Sequence, residues 1–185
     1  AEADVSINLG WFWHEDRLYK EQDMPVGRTA EALAQIYFNT VGGNASLLLN
    51  IPPDKNGLIN PREIKTLKEF TAIIEKTFKE NMPFDLSLVS PDGEECIPGT
   101  DSFMMQENEA AIKLCPNGKF RTLVLEEDIK YSQRVEAFSI YADGKKIKDC
   151  TTIGAGKIIR FPSGVDADEI VIVITQSRSN PIIKS

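Results

Sequence analysis

The chain has 185 residues, 42% of them hydrophobic, and its 28 acidic against 21 basic side chains leave a net charge of −7. That is enough apolar material for one or two cores, while no apolar run approaches the roughly 18 residues of a membrane span. The basic residues are scattered among acids, so the clustered cations that phosphate binding rests on are missing, and neither a nucleic-acid nor a membrane partner is expected.

Val5-Ser6-Ile7 has the β-forming character of a short strand. Thr29 to Val41 follows helical spacing, with Leu33, Ile36, Tyr37 and Val41 on one face and Gly42-Gly43 to end it. Leu47-Leu48-Leu49 is an uninterrupted apolar run, as expected of a parallel strand buried on both faces. Asn60-Pro61-Arg62-Glu63 then supplies a cap, a proline at the first helical position and a reciprocal acid. The helix it opens carries Ile64, Leu67, Phe70, Ile74 and Phe78. This order is that of the last units of a (β/α) barrel.

Near Met82 the grammar changes, which sets domain limits of 1–82 and 83–185. Phe84, Leu86 and Leu88 alternate with polar residues, and Pro91-Asp92-Gly93 is a turn signal. Further strands are expected at Ala110–Cys115, Lys119–Glu126, Arg134–Ala142, Lys157–Phe161 and Glu169–Thr175, with Pro116-Asn117-Gly118 and Asp143-Gly144 as hairpin signals. Short strands spaced by turns predict an antiparallel, jelly-roll-like sandwich. No helix longer than about ten residues is expected after Phe84. Glu126-Glu127-Asp128 has the look of a charged edge, and Gly154-Ala155-Gly156, lacking a following helix and lysine, that of a turn rather than a phosphate cradle.

Cys96, Cys115 and Cys150 are odd in number and widely spaced, so they give neither a disulfide framework nor a zinc set. Asn44-Ala45-Ser46 is a glycosylation sequon that carries weight only in a eukaryotic secretory setting. Both tryptophans and the single histidine fall within four positions, Trp11 to His14, after the acid-bearing Glu2-Ala3-Asp4. Flat aromatics beside acidic and imidazole groups suit a sugar, with its apolar C–H face and its hydroxyls, and a glycosidase needs a carboxylic acid near the leaving oxygen. Trp11 and Trp13 could equally be core anchors. Glu2 could be an exposed terminal glutamate, and His14 a hydrogen-bonded structural residue. With one histidine, no metal site is supported, and no cofactor is expected.

The run EADVSINLGWFWHED from Glu2, followed by NASLLLNIPPDKNGLI from Asn44, resembles glycoside hydrolase family 29, the α-L-fucosidases. The Ser-Ile/Gly-Trp-Phe-x-His pattern is similar to the subgroup acting on α-1,3/1,4-linked fucose, although Asn8-Leu9 stands where that subgroup usually shows Arg-Pro. The resemblance is strong to about residue 80. Looser echoes at Leu123–Ile129 and Thr151–Pro162 resemble the sandwich behind the barrel. It implies a retaining, exo-acting hydrolase of terminal α-L-fucose on oligosaccharides or glycoconjugates, secreted or periplasmic. Glu2 then falls on the general acid/base, with Asp4 on the same strand face as a weaker acid or a substrate contact. Trp11, Trp13 and His14 fall on the site-forming loop, and Asn50 on the end of a barrel strand, where it binds sugar or satisfies loop amides. A barrel takes about 250 residues, so the chain is expected to be a C-terminal portion, inactive without an upstream barrel part that holds the nucleophile. Val5, Ile7, Leu47 and Leu49 should then be left partly uncovered. The alternative is a non-catalytic carbohydrate-binding or structural β-sandwich module.

Overall fold

In a computed structural model, described for residues 1–14, 27–79, 81–89, 95–96, 102–104 and 111–184 (backbone alone for 95–96 and 102–104), the chain forms two compact units. Unit 1 takes in Ala1–Val41 and Ala45–Glu80, and unit 2 takes in Gly42–Asn44 and Asn81–Ser185.

Unit 1 runs β1 (Glu2–Ser6), α1 (Ala30–Thr40), β2 (Ser46–Asn50) and α2 (Pro61–Phe78). β1 and β2 pair in parallel, with Glu2 opposite Ser46 and Ser6 opposite Asn50. The alternation of a strand then puts Ala3 and Val5 with Leu47 and Leu49 on one face, and Glu2 and Asp4 with Leu48 on the other. Ile7 is buried, whereas Val5, Leu47 and Leu49 are half-buried, so the expectation of uncovered apolar residues holds for three of the four. Leu48 is 56% exposed, so within these residues β2 is covered on one face rather than two.

The Thr29 hydroxyl caps α1 by accepting from the Ala32 amide at 3.2 Å. Its buried face is Ala30, Leu33, Ala34 and Phe38, one step round the helix from the face expected, and Val41 lies just past its end. The left-handed residue after the helix is Asn44 (φ 67°), not either glycine of Gly42-Gly43. α2 starts as the sequence predicts, with Asn60 accepting from the Arg62 amide at 2.9 Å ahead of Pro61. Glu63, expected to close the cap, turns inward instead and is 1% exposed. Edge-on aromatic contacts Tyr37–Phe70 (6.2 Å) and tilted Phe38–Phe78 (6.4 Å) join the two helices.

Unit 2 is almost wholly antiparallel β: β3 (Phe84–Val89), β4 (Glu95–Cys96), β5 (Ser102–Met104), β6 (Ala111–Pro116), β7 (Phe120–Leu125), β8 (Val135–Ala142), β9 (Lys145–Thr151), β10 (Lys157–Val165), β11 (Ile170–Ser177) and β12 (Ile182–Lys184). A six-stranded sheet has the order β4-β3-β6-β11-β8-β9, and β10 pairs with β7 and β12 with β5. Leu88, Ile112, Phe138, Ile140, Ile170 and Ile172 of the large sheet share one core with Leu125 and Ile159 of the β7–β10 pair, as in a β-sandwich. Among the described residues the one helical turn after Phe84 is the three-residue Ile129–Tyr131.

The turn expectations divide. Asp143 (φ 47°) and Gly144 (φ 75°) join the neighbours β8 and β9 in the left-handed conformation a tight hairpin needs. Pro116-Asn117-Gly118 instead links β6 to β7, which lie in different sheets. The signal at Pro91-Asp92-Gly93 lies outside the described residues. β9, KKIKDCT, was not anticipated. It is an outer strand whose Lys145, Lys146 and Lys148 are exposed, and lysines are a common guard against edge-to-edge pairing. Phe84 and Tyr131 are exposed. Cys115 and Cys150 are free thiols, and burial pushes the Cys150 thiol up.

Asn44 and Glu127 organise one loop cluster of unit 2. Asn44 Nδ2 donates to the Ile153 carbonyl (2.8 Å) and its Oδ1 accepts from the Gly156 amide (3.1 Å), so the amide of the sequon is committed to the fold. Gly154, the turn residue, has φ 62°, and a Cβ there would meet Asn44 Oδ1 at 2.5 Å. Gly154→Ala should therefore cost roughly 2–4 kcal/mol from backbone strain and forced displacement together. A denaturant midpoint unchanged by that substitution would show that the Asn44 contact yields freely.

Candidate functional site at the carboxyl ends of the parallel strands

Parallel α/β structures place ligand sites beyond the carboxyl ends of their strands, because the loops that leave there converge. In unit 1 that end is Ser6 and Asn50, and Gly10–His14 is the loop that follows β1. The Ser6 hydroxyl donates to the Gly10 carbonyl at 2.7 Å. Asn50 Nδ2 donates to Ser6 Oγ (3.2 Å) and to the Trp11 carbonyl (2.9 Å). The aromatic loop is thereby tied down by its backbone, and its side chains are left outward. Trp11 is 52% and Phe12 78% exposed, Trp13 is half-buried and His14 is exposed.

A second layer lies behind Asn8. Its Nδ2 donates to Glu63 Oε1, and its Oδ1 accepts from Arg62 at 3.4 Å. Arg28 Nε donates to the Ser6 carbonyl at 3.0 Å, and the Arg28 amide to the Ile7 carbonyl at 2.8 Å. Arg28 and Arg62 also line an open cleft with Thr29, Glu31 and Glu69. Past β2, the amides of Leu58 and Asn56 bond the Asp54 carboxylate and hold it below the usual carboxylate range, which makes Asp54-Lys55-Asn56-Gly57 the turn its composition suggested.

The structure brings together Trp11, Trp13, His14 and Asn50 at one end of the strand pair and leaves the two acids elsewhere. Asp4 and Glu2 share a face, as strand alternation requires, and both are exposed. Glu2, however, is the first residue of β1, about 13 Å of strand away from Ser6 at roughly 3.3 Å per residue. Glu2 therefore lies away from the end of β1 at which the aromatic loop is held. The motif defines the face of β1 on which Glu2 lies but not the end. Ser6, Arg28, Arg62 and Glu63 were not singled out by sequence. Their partners are 22 to 55 residues away for Arg28, Arg62 and Glu63, and no local pattern marks such pairings.

No family model matches the chain. The chain is 30% identical to alpha-L-fucosidase 1 of Arabidopsis thaliana over 205 aligned residues, which cover 99% of this chain and 39% of that protein. A solved structure described as SpGH29 matches with a TM-score of 0.81 and 31% identity over 98% of this chain and 42% of that one. A mutant GH29 fucosidase of Ruminococcus gnavus, solved in complex with fucose, matches with a TM-score of 0.76 and 28% identity over 98% of this chain and 39% of that one. The parallel strand pair, the capped helices and the β-sandwich are thus similar to part of these glycoside hydrolase structures. More narrowly, the chain is similar over nearly all its length to family 29 α-L-fucosidases, and spans about two fifths of the curated relative. This is consistent with the C-terminal portion of such an enzyme.

Proposed function

We propose that the chain is the C-terminal portion of a secreted or periplasmic, exo-acting α-L-fucosidase that hydrolyses terminal α-linked L-fucose from oligosaccharides or glycoconjugates with retention. In this reading residues 1–82 end a (β/α)8-like barrel and residues 83–185 form a jelly-roll-like sandwich. The observation that carries it is the loop Gly10–His14, held at the carboxyl ends of two parallel strands with Trp11 and Phe12 turned outward, in a chain that matches a fucose-bound fucosidase along its length.

Retention requires two carboxyl groups about 5–5.5 Å apart, one attacking the anomeric carbon and the other protonating the leaving oxygen and then deprotonating water. Neither Glu2 nor Asp4 lies at the loop end of β1, so both carboxyls are assigned to the upstream part of the polypeptide. This chain's contribution is to bind and orient. An indole ring covers the apolar face of a sugar and excludes water from it, while polar groups fix its hydroxyls.

The test is fucose release from an α-1,3/1,4-fucosylated oligosaccharide by the full-length polypeptide, with the first-formed anomer followed by NMR. α-L-Fucose as first product supports the reading. Binding without release would favour the non-catalytic module, and the β anomer would overturn retention. In the same assay Glu2→Gln should leave kcat within about threefold, and azide should give it no rescue. A loss of orders of magnitude on substrates with poor leaving groups, restored by azide, would return Glu2 to the acid/base role.

A further inference from the structure

Two loop carbonyls, Gly10 and Trp11, are held by side chains from two different strands. The chain of donors is continuous: Asn50 Nδ2 gives one hydrogen to the Trp11 carbonyl (2.9 Å) and the other to Ser6 Oγ (3.2 Å), and Ser6 Oγ gives its own to the Gly10 carbonyl (2.7 Å). Ser6 and Asn50 are register partners in the parallel pair, and the Ile7 amide donates to the Asn50 carbonyl at 3.0 Å, so the clamp stands on a rigid base. Ser6 is 6% exposed, out of reach of any sugar. What the clamp holds is costly to expose, because Trp11 and Phe12 stand in solvent at 52% and 78%. Free aromatic side chains on an untethered loop would collapse onto neighbouring apolar surface.

We infer that Ser6 and Asn50 are positioning residues of the fucose site, acting through the Gly10 and Trp11 carbonyls to hold the aromatic loop open for substrate. The inference rests on the fucosidase reading for the identity of the ligand, and on geometry alone for the clamp. Both hydrogens of the Asn50 amide are used within the protein, so Asn50 orients the loop rather than donating to sugar. Pre-setting a binding loop lowers the ordering cost of binding, and its loss raises KM more than it lowers kcat.

Two variants test this. Asn50→Asp keeps the shape and removes both donors, and Ser6→Ala removes one hydroxyl from a buried site and leaves an apolar methyl. In the full-length polypeptide each should raise KM for a fucosylated oligosaccharide roughly five- to tenfold with kcat within about twofold, the scale of one or two lost hydrogen bonds. The chain's two tryptophans both lie in the clamped loop. In the 185-residue chain their fluorescence anisotropy should therefore fall and their quenching by acrylamide change, while far-UV circular dichroism stays that of the unmutated chain. Unchanged KM and unchanged tryptophan signals in either folded variant would overturn the clamp. A raised KM with unchanged tryptophan signals would overturn it too, since Asn50 would then act on sugar directly. If the unmutated polypeptide neither binds nor cleaves fucosides, the fucosidase reading fails, and a tryptophan response in the variants still supports the clamp as loop architecture.

Discussion

Glu127→Ala should cost unit 2 about 3–5 kcal/mol, the largest loss of stability expected from any single polar side chain described in this fold. Glu127 is 0% exposed. Its Oε1 accepts from the Arg134 amide (2.8 Å) and the Val135 amide (3.0 Å), and its Oε2 from the Gly154 amide (2.7 Å). The Glu127 amide in turn donates to the Gly154 carbonyl at 2.8 Å. One carboxylate thus joins the β7–β8 connection to the β9–β10 connection. Truncation leaves three donors without an acceptor, each worth about 1–3 kcal/mol if it stays dry, less whatever entering water recovers. Glu127→Gln should lose roughly half as much, because one oxygen remains while the new amide faces a backbone N–H. Tryptophan fluorescence is a poor probe here, since Trp11 and Trp13 belong to unit 1. Urea unfolding followed by far-UV circular dichroism gives the comparison, and a loss below about 1 kcal/mol for Glu127→Ala would mean that the loops are held by other contacts.

The same residue shows where sequence reading stops. Glu126-Glu127-Asp128 looks like a solvated edge, and two of the three residues behave nearly so: Glu126 pairs with Lys184 at 2.8 Å, and Asp128 caps the Ile129–Tyr131 turn. Glu127 differs only because Gly154, 27 residues away, arrives with its amide pointing at it, and nothing in the local composition encodes that approach. Elements with a local cause were legible. Asn60-Pro61 starts α2 by capping chemistry, Asp143-Gly144 turns β8 into β9 by left-handed backbone, and the apolar Ile-rich strands of unit 2 lie where alternation put them. β9 escaped notice because an outer strand buries little and its lysines hide the alternation. At the site, the aromatic loop was legible because Trp and His are rare in this chain. The end of β1 at which Glu2 stands was not, since a period of two reports faces and is silent about ends.

Trp11→Ala should raise KM for fucosylated oligosaccharide about 10- to 50-fold in the full-length polypeptide, with kcat affected far less. Of the two tryptophans, which the sequence left equivalent, Trp11 is 52% exposed and Trp13 is half-buried, so Trp11 is the one to test as a sugar platform. A sugar laid on the indole would cover roughly 60–90 Å² of apolar surface, worth about 1.5–2.3 kcal/mol, and this converts to the stated factor. The interaction is made with the bound sugar in ground state and transition state alike, so its loss falls on binding. Trp13→Ala should behave in the opposite way, with a lower unfolding midpoint for unit 1 and KM changed only as far as the loop loosens. Phe12 is the control, being more exposed than Trp11, while Ser6 and Asn50 hold the carbonyls of Gly10 and Trp11. If Phe12→Ala raises KM and Trp11→Ala does not, the sugar lies one residue further along the loop. If neither changes KM, these aromatics face something other than substrate, and the carbohydrate reading of this loop fails with them.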